Sequence, residues 1–173
     1  MTIARILLST ISLALALAMP LRAGAELFPP GPAPLAAVPA GIRVTLILPP
    51  GVSLSPGSAV LTVAAGGAKA DLPLSEPVPA VPDNGGARHL LQPTPGGIAA
   101  LQAFQAQFAG TQPPASSMQM RLGLCRTDDT PPELPFLLAI RLAPGAPVLP
   151  LAAPGAGLSA ITGAPPSALV PCP

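Results

Sequence analysis

Apolar and polar residues alternate along short stretches of this chain, and a period of two is typical of β-strands with one buried face. The stretch 42–48 places four apolar residues on one face: Ile42, Val44, Leu46 and Leu48. The stretch 58–64 repeats the pattern with Ala and branched apolar residues, and 87–92 follows as a shorter run. We therefore predict strands at these three places.

A further alternating stretch, 68–74, carries Lys69, Asp71 and Pro73 between its small apolar residues. Because charges and proline discourage association along an exposed sheet edge, we predict an edge strand there. Residues 83–86, Asp-Asn-Gly-Gly, form the strongest tight-turn signal in the chain, since Asn and Gly tolerate a positive φ.

The stretch 117–142 contains two alternating runs of similar length. Met118, Met120, Leu122 and Leu124 share one face of the first run, and Phe136, Leu138, Ile140 and Leu142 share one face of the second. The residues between the runs, 126–135, are polar and rich in turn formers. This pattern predicts a central β-hairpin with a long loop.

Residues 94–110 depart from the period of two. Thr94 is a suitable N-cap, Pro95 a suitable first helical residue and Gly110 a suitable helix stop. The apolar residues between them recur near helical spacing: Ile98, Leu101, Phe104 and Phe108. We predict one short helix near residues 95–109 that packs its apolar stripe against a sheet.

About seven short strands with many turn residues and one helix predict a mainly β fold, a small antiparallel β-sandwich of immunoglobulin-like type. Residues 41–173 form the single domain of this prediction. Residues 26–40 precede it and are rich in proline and alanine. Proline fixes φ and lacks an N–H donor, so we predict an extended, polyproline-like arm there.

The N-terminus has the features of a secretory signal peptide. Arg5 supplies a positive charge, residues 6–18 are largely apolar, and 23–25 is the small-residue triplet Ala-Gly-Ala. The apolar stretch is too short to cross a bilayer as a helix. We predict that residues 1–25 are removed after Ala25, that no membrane span follows, and that the protein is periplasmic or secreted.

Charge and aromatic content restrict the expected partners. Without Arg5 and Arg22 the chain keeps six of its eight basic residues against seven acidic ones, a net charge of −1 with His89 neutral. Nucleic acids and anionic membranes call for clustered Lys and Arg, so neither is expected as a partner. The chain contains no Trp or Tyr on which sugars or single strands could stack. An envelope protein of unknown identity is the expected partner of a monomer.

Cys125 and Cys172 are the only cysteines. Exported proteins with an even cysteine count usually pair them, so we predict a disulfide that attaches the C-terminus to the end of the first hairpin strand. The alternative is a redox-active or metal-binding pair. It lacks the Cys-x-x-Cys spacing and a second ligand close in sequence.

His89 is the only histidine. A catalytic histidine must be held between a nucleophile and an orienting acid, yet no Gly-x-Ser-x-Gly motif occurs and both cysteines are expected to be oxidised. We therefore expect a surface or hydrogen-bonded histidine, no catalytic residue and no cofactor.

The loop at 126–135 holds the candidate binding residues Arg126, Asp128, Asp129 and Glu133. Its three carboxylates could suit Ca²⁺, but the alternating spacing of a calcium loop is missing. Met118 and Met120 could ligate Cu(I) through their thioethers, but both lie on the apolar face of their run, which favours core packing. We expect no metal site, and this loop is the first candidate for a binding surface.

These patterns favour an exported, non-enzymatic protein that acts as a binding, assembly or accessory module of the cell envelope. Two alternatives remain open. One is a structural surface subunit of pilus type assembled by strand donation, although the proline-rich arm at 26–40 is a poor donor strand. The other is a metal-carrying or hydrolytic protein that uses His89.

Overall fold

The computed structural model describes residues 34–112, 114–129 and 131–173. The predicted signal peptide and residues 26–33 of the predicted arm lie outside the described residues. The strands are β1 (Arg43–Leu48), β2 (Val52–Leu54), β3 (Val60–Ala65), β4 (Ala68–Ser75), β5 (Val81–Asp83), β6 (Gly86–Pro93), β7 (Ser116–Arg121), β8 (Leu124–Arg126), β9 (Leu137–Arg141) and β10 (Leu149–Pro150). The helices are α1 (Pro95–Ala106) and α2 (Ser159–Thr162), with short 3₁₀ helices at Pro34–Ala36, Pro39–Gly41 and Pro166–Ala168.

The predicted antiparallel β-sandwich is confirmed. The main sheet has the strand order β10-β9-β1-β6-β4-β3-β7, and β5 also pairs with β6. Only two residue pairs join β4 to β6, Leu74 with Pro93 and Ser75 with Gln92, so the sheet divides there into two halves. Buried side chains from both halves form one hydrophobic core. A separate two-stranded ribbon contains β2 and β8.

The strands predicted at 42–48, 58–64 and 87–92 are found as β1, β3 and β6. β1 is flanked on both sides, by β6 and β9, and its inward side chains Val44, Leu46 and Leu48 are buried. The turn predicted at 83–86 joins β5 to β6, with Asn84 and Gly85 both at positive φ. Local alternation and turn chemistry therefore place these elements correctly.

The predicted central hairpin at 117–142 is wrong. β7 pairs with β3, whereas β9 pairs with β1 and β10, so the two runs belong to opposite ends of the strand order. The first run also breaks near Gly123, where the chain leaves the main sheet and pairs as β8 with β2. A period of two identifies a strand but not its partner, and the long loop between the runs fixes no register.

The stretch 68–74 is not an edge strand, because β4 lies between β3 and β6 in the sheet. Its residues 68–73 nevertheless pair with β3 alone among the described strands. Helix α1 packs on β4, and Gly97 permits the close approach, since an added Cβ there would lie 3.0 Å from the Pro73 carbonyl oxygen. The predicted helix is confirmed, and Thr94 caps it by accepting a hydrogen bond from the Gly97 amide.

The described part of the predicted arm, 34–40, differs from an extended chain because it forms two short 3₁₀ helices. Gln105 of α1 holds it in place, since its side-chain amide donates to the carbonyl oxygens of Leu35 and Ala37, at 3.0 and 2.8 Å. Near the other terminus, Leu149–Pro150 forms the short strand β10 and Pro166–Ala168 forms a 3₁₀ helix.

Candidate functional site

The predicted disulfide between Cys125 and Cys172 is confirmed, with Cα atoms 4.9 Å apart. Two backbone hydrogen bonds support it: the Arg126 amide donates to the Val170 carbonyl, and the Cys172 amide donates to the Arg126 carbonyl, both at 2.9 Å. The C-terminal tail is therefore attached along β8.

The predicted binding residues of the 126–135 loop do not converge on one point. Arg126 Nη1 donates to the Asp129 carboxylate at 2.9 Å and to the Asp128 backbone oxygen at 3.3 Å. Its Nε donates to the Leu169 carbonyl at 3.0 Å, so this guanidinium also holds the tail. Three of the four residues are thus joined at the start of the loop.

Glu133, the fourth residue, bonds to a different segment, because its carboxylate accepts from the Ser159 amide at 3.1 Å. Within the described ranges, no group of three or more His, Cys, Asp or Glu side chains is arranged to hold a metal ion. The binding role of the loop stays a prediction.

His89 is buried in the core, with 5 % of its surface exposed. Its Nδ1 lies 2.8 Å from Glu76 Oε1. Its Nε2 is buried and has no hydrogen-bond partner among the described residues. His89 is therefore not at the surface. The expected hydrogen bonding is found for Nδ1 and not for Nε2.

The two halves of the sheet present different outward faces. On β4-β3-β7 that face is formed by Thr62, Ala64, Lys69, Asp71, Ser117, Gln119 and Arg121, which we call the polar face. Asp71 accepts from Thr62 Oγ1 at 2.6 Å and from Arg121 Nη2 at 3.3 Å. A shallow depression of about 300 Å³ lies over these residues. Hydrogen-bonded polar side chains are usual where one side of an antiparallel sheet meets water.

The outward face of β5-β6-β1-β9-β10 is instead rich in exposed apolar side chains. We call it the apolar face, and its principal side chains are Arg43, Thr45, Ile47, Val81, Arg88, Leu90, Leu137, Arg141 and Val148. Leu90 and Leu137 are 42 % and 45 % exposed, and Val81 and Val148 are 56 % and 54 % exposed. Their inward neighbours in the same strands, among them Leu91 and Ile140, are buried. Apolar side chains therefore lie on both sides of these strands, mixed on the outward side with arginine and threonine.

Arg43 and Arg141 lie directly opposite one another in the pairing of β1 with β9. Both side chains line a depression of about 310 Å³ together with Leu90 and Val148. Like charges opposite each other destabilise a sheet. Arg43 Nη1 donates to two backbone carbonyls, those of Ala40 and Ile42, and neither arginine has a carboxylate partner within the described part of the chain.

The sequence indicates the apolar face only in part. Leu90 and Leu137 stand at positions where the alternation calls for a polar residue, and that departure is visible in the sequence. The juxtaposition of Arg43 and Arg141 is not, because it depends on β1 and β9 being neighbours in one particular register. A long-range pairing of this kind leaves no local pattern.

The described ranges include no helix with the length and apolarity needed to cross a bilayer. Comparisons with protein-family models, with curated proteins and with solved structures found no match to this chain.

Proposed function

We propose that this protein is an exported, non-enzymatic binding module of the cell envelope, and that its apolar face takes up a protein partner. The observation that carries the proposal is the contrast between the two outward faces of one sheet. Exposed apolar patches rimmed by polar residues are typical of interaction sites, because covering apolar surface contributes about 25 cal/mol per Å². The polar face of the same molecule serves as an internal comparison.

The state of the reactive side chains supports a non-enzymatic role. A general base must lie within hydrogen-bonding reach of its substrate, whereas His89 Nε2 is buried and His89 lines neither the depression on the polar face nor the one beside Leu90. Cys125 and Cys172 are bonded to each other, so neither offers a thiolate for nucleophilic attack.

The disulfide also supports a position outside the cytoplasm. Disulfides persist in oxidising compartments such as the periplasm and the extracellular space, and are rare where thiols are kept reduced. The predicted signal peptide at residues 1–25 agrees with this location.

One observation favours the pilus-type alternative, and the test should report on it. β7 is the last strand in the main sheet and pairs with β3 alone among the described strands. It contains no proline, so its other edge could accept a strand from a neighbouring molecule. Gln119 lies in the middle of β7 and can monitor such contacts.

The experiment places a photo-cross-linking amino acid at single positions of the full chain, produced in the cells that naturally carry it. Position Leu90 tests the apolar face, Lys69 on the polar face is the matched control, and Gln119 reports on the edge of β7. We expect the chain to lose residues 1–25, to be recovered outside the cytoplasm, and to give one discrete protein adduct from Leu90 and none from Lys69.

A full-length chain retained in the cytoplasm would refute export. Equal adducts from Leu90 and Lys69 would refute the apolar face as a specific binding surface. Adducts to a second copy of this chain from Gln119, in the absence of adducts from Leu90, would favour a pilus-type subunit instead.

A further inference from the structure

The apolar face carries unbalanced positive charge. Arg43, Arg88 and Arg141 lie on it, which is half of the six basic residues in 34–173. Asp83, which forms an ion pair with Arg88, is the acidic residue that neutralises part of this charge. Arg43 and Arg141 remain without a carboxylate partner among the described residues, and the strand pairing places them directly opposite one another.

A carboxylate bound at this pair of arginines would offset the like charge that the strand pairing places side by side. Arginine binds carboxylates through two parallel N–H···O bonds, and such charge-assisted bonds are stronger than neutral ones. The exposed apolar side chains of Leu90 and Val148 line the same depression. A ligand bound there therefore meets two cationic groups and an apolar surface at once.

We infer that the occupant of the apolar face is a segment of another protein in which an Asp or Glu is flanked by apolar residues, and that Arg43 and Arg141 bind its carboxylate. This inference rests on the proposed function and specifies the chemistry of its partner. The apolar side chains of the segment cover Leu90 and Val148, while the carboxylate lies between the two arginines.

Charge and shape argue against the other occupants. If a second copy docked through the same face, Arg43 and Arg141 of one copy would approach the same two arginines of the other, and their like charges would repel. An acyl chain needs a deep apolar cavity, whereas this depression of about 310 Å³ is open to solvent and lined by both arginines. An open depression of this size suits a peptide segment or a protein surface.

The test uses the chemistry of the inferred carboxylate. Carbodiimide reagents join a lysine amine to a nearby carboxylate as an amide, and Lys69 is the only lysine in residues 26–173. The variants Arg43→Lys and Arg141→Lys place a reactive amine at the inferred site. Arg121→Lys on the polar face is the matched control, and Lys69 itself is a control within every sample.

Each full-length variant is produced in the cells that naturally carry the protein, and the envelope fraction of those cells is treated with carbodiimide. We expect an amide between position 43 or 141 and an Asp or Glu of the protein that the photo-cross-linker captures at Leu90. No such coupling is expected at position 121 or at Lys69. In addition, Arg141→Gln should reduce the photo-adduct from Leu90 about tenfold, since losing one partner of a close charge pair weakens binding.

Failure of the inference is distinguishable from failure of the proposed function. A photo-adduct from Leu90 that survives Arg141→Gln, without amide formation at positions 43 and 141, would overturn the carboxylate and leave the binding module standing. The absence of any photo-adduct would overturn both. Coupling to a lipid or to a second copy of this chain would overturn the choice of a different protein as the partner.

Discussion

Buried nitrogen atoms usually have a hydrogen-bond partner. His89 Nε2 is an exception, because it is buried and has no partner among the described residues. Its position follows from the strand pattern, because His89 occupies an inward position of β6 opposite Leu46. Glu76, 31 % exposed at its side chain, reaches Nδ1 from the sheet margin. The residue that the sequence offers as its one candidate base is therefore part of the core.

Replacing His89 with leucine should leave the free energy of unfolding unchanged or raise it by about 1 kcal/mol. An unsatisfied buried polar atom costs about 1–3 kcal/mol, and Glu76 can bond to water once the imidazole is gone. The comparison variant His89→Ala should lose about 2 kcal/mol through the cavity it creates. Denaturant unfolding of both variants checks this. A loss above about 2 kcal/mol for His89→Leu would contradict this expectation, because it would mean that the hydrogen bonds of the imidazole contribute more than its unsatisfied nitrogen costs.

The two sides of β9 give a second test at single residues. Ile140 is fully buried, so Ile140→Ala should cost about 2–5 kcal/mol. Leu137, on the outward side of the same strand, is 45 % exposed, and Leu137→Ala should cost less than about 1 kcal/mol. Leu122, predicted to be equally buried, is only partly so, and Leu122→Ala should fall between them. A larger loss of melting temperature for Leu137→Ala than for Ile140→Ala would show that the assigned faces are exchanged, and equal losses would contradict the difference in burial between them.

At the scale of elements, the sequence is sufficient to predict where strands occur but not which strands pair with one another. β1, β3 and β6 follow from alternation, and α1 follows from its cap, its proline and its apolar stripe. The pairing of β7 with β3 and of β9 with β1 depends on contacts between residues far apart in the chain. Similar apolar faces fit several partners equally well, so the predicted hairpin is locally reasonable and globally wrong.

Gln105 links helix α1 to the segment 34–37. The sequence pattern does not show this role, because Gln105 lies near the apolar stripe of α1 and only weakens its amphipathic character. Gln105→Ala should cost about 1–2 kcal/mol, since two backbone carbonyls of 34–37 lose their donor. Hydrogen exchange should accelerate at the amides of Ala37 and Gly41, which close the two 3₁₀ turns. The matched control is the exposed Gln102→Ala on the same helix. Comparable exchange in both variants would contradict a holding role for Gln105.

For the whole molecule, the sandwich class, the helix and the disulfide are accessible from the sequence, whereas the candidate site is not. The predicted loop residues are individually visible as polar, and the structure joins Arg126 to the tail and Glu133 to the 157–159 segment. The apolar face arises only when β6, β1 and β9 are placed side by side. Leu90 and Leu137 are visible in the sequence as departures from alternation, but no single strand shows that they share a surface with Arg43 and Arg141.

The disulfide should stabilise the whole domain without affecting the apolar face. It closes a loop with a sequence separation of 47, for which the chain-entropy estimate is about 4 kcal/mol. Reduction should therefore add two hydrogens to the mass, lower the free energy of unfolding by about 2–4 kcal/mol, and release the tail at 169–173 to proteolysis. Neither cysteine lines the depression beside Leu90, so the photo-adduct from Leu90 should persist below the lowered melting temperature. Loss of that adduct on reduction, while the domain remains folded, would mean that the tail contributes to binding. The Cys125→Ser, Cys172→Ser double variant is the control, because it lacks the disulfide without exposing the partner to a reductant.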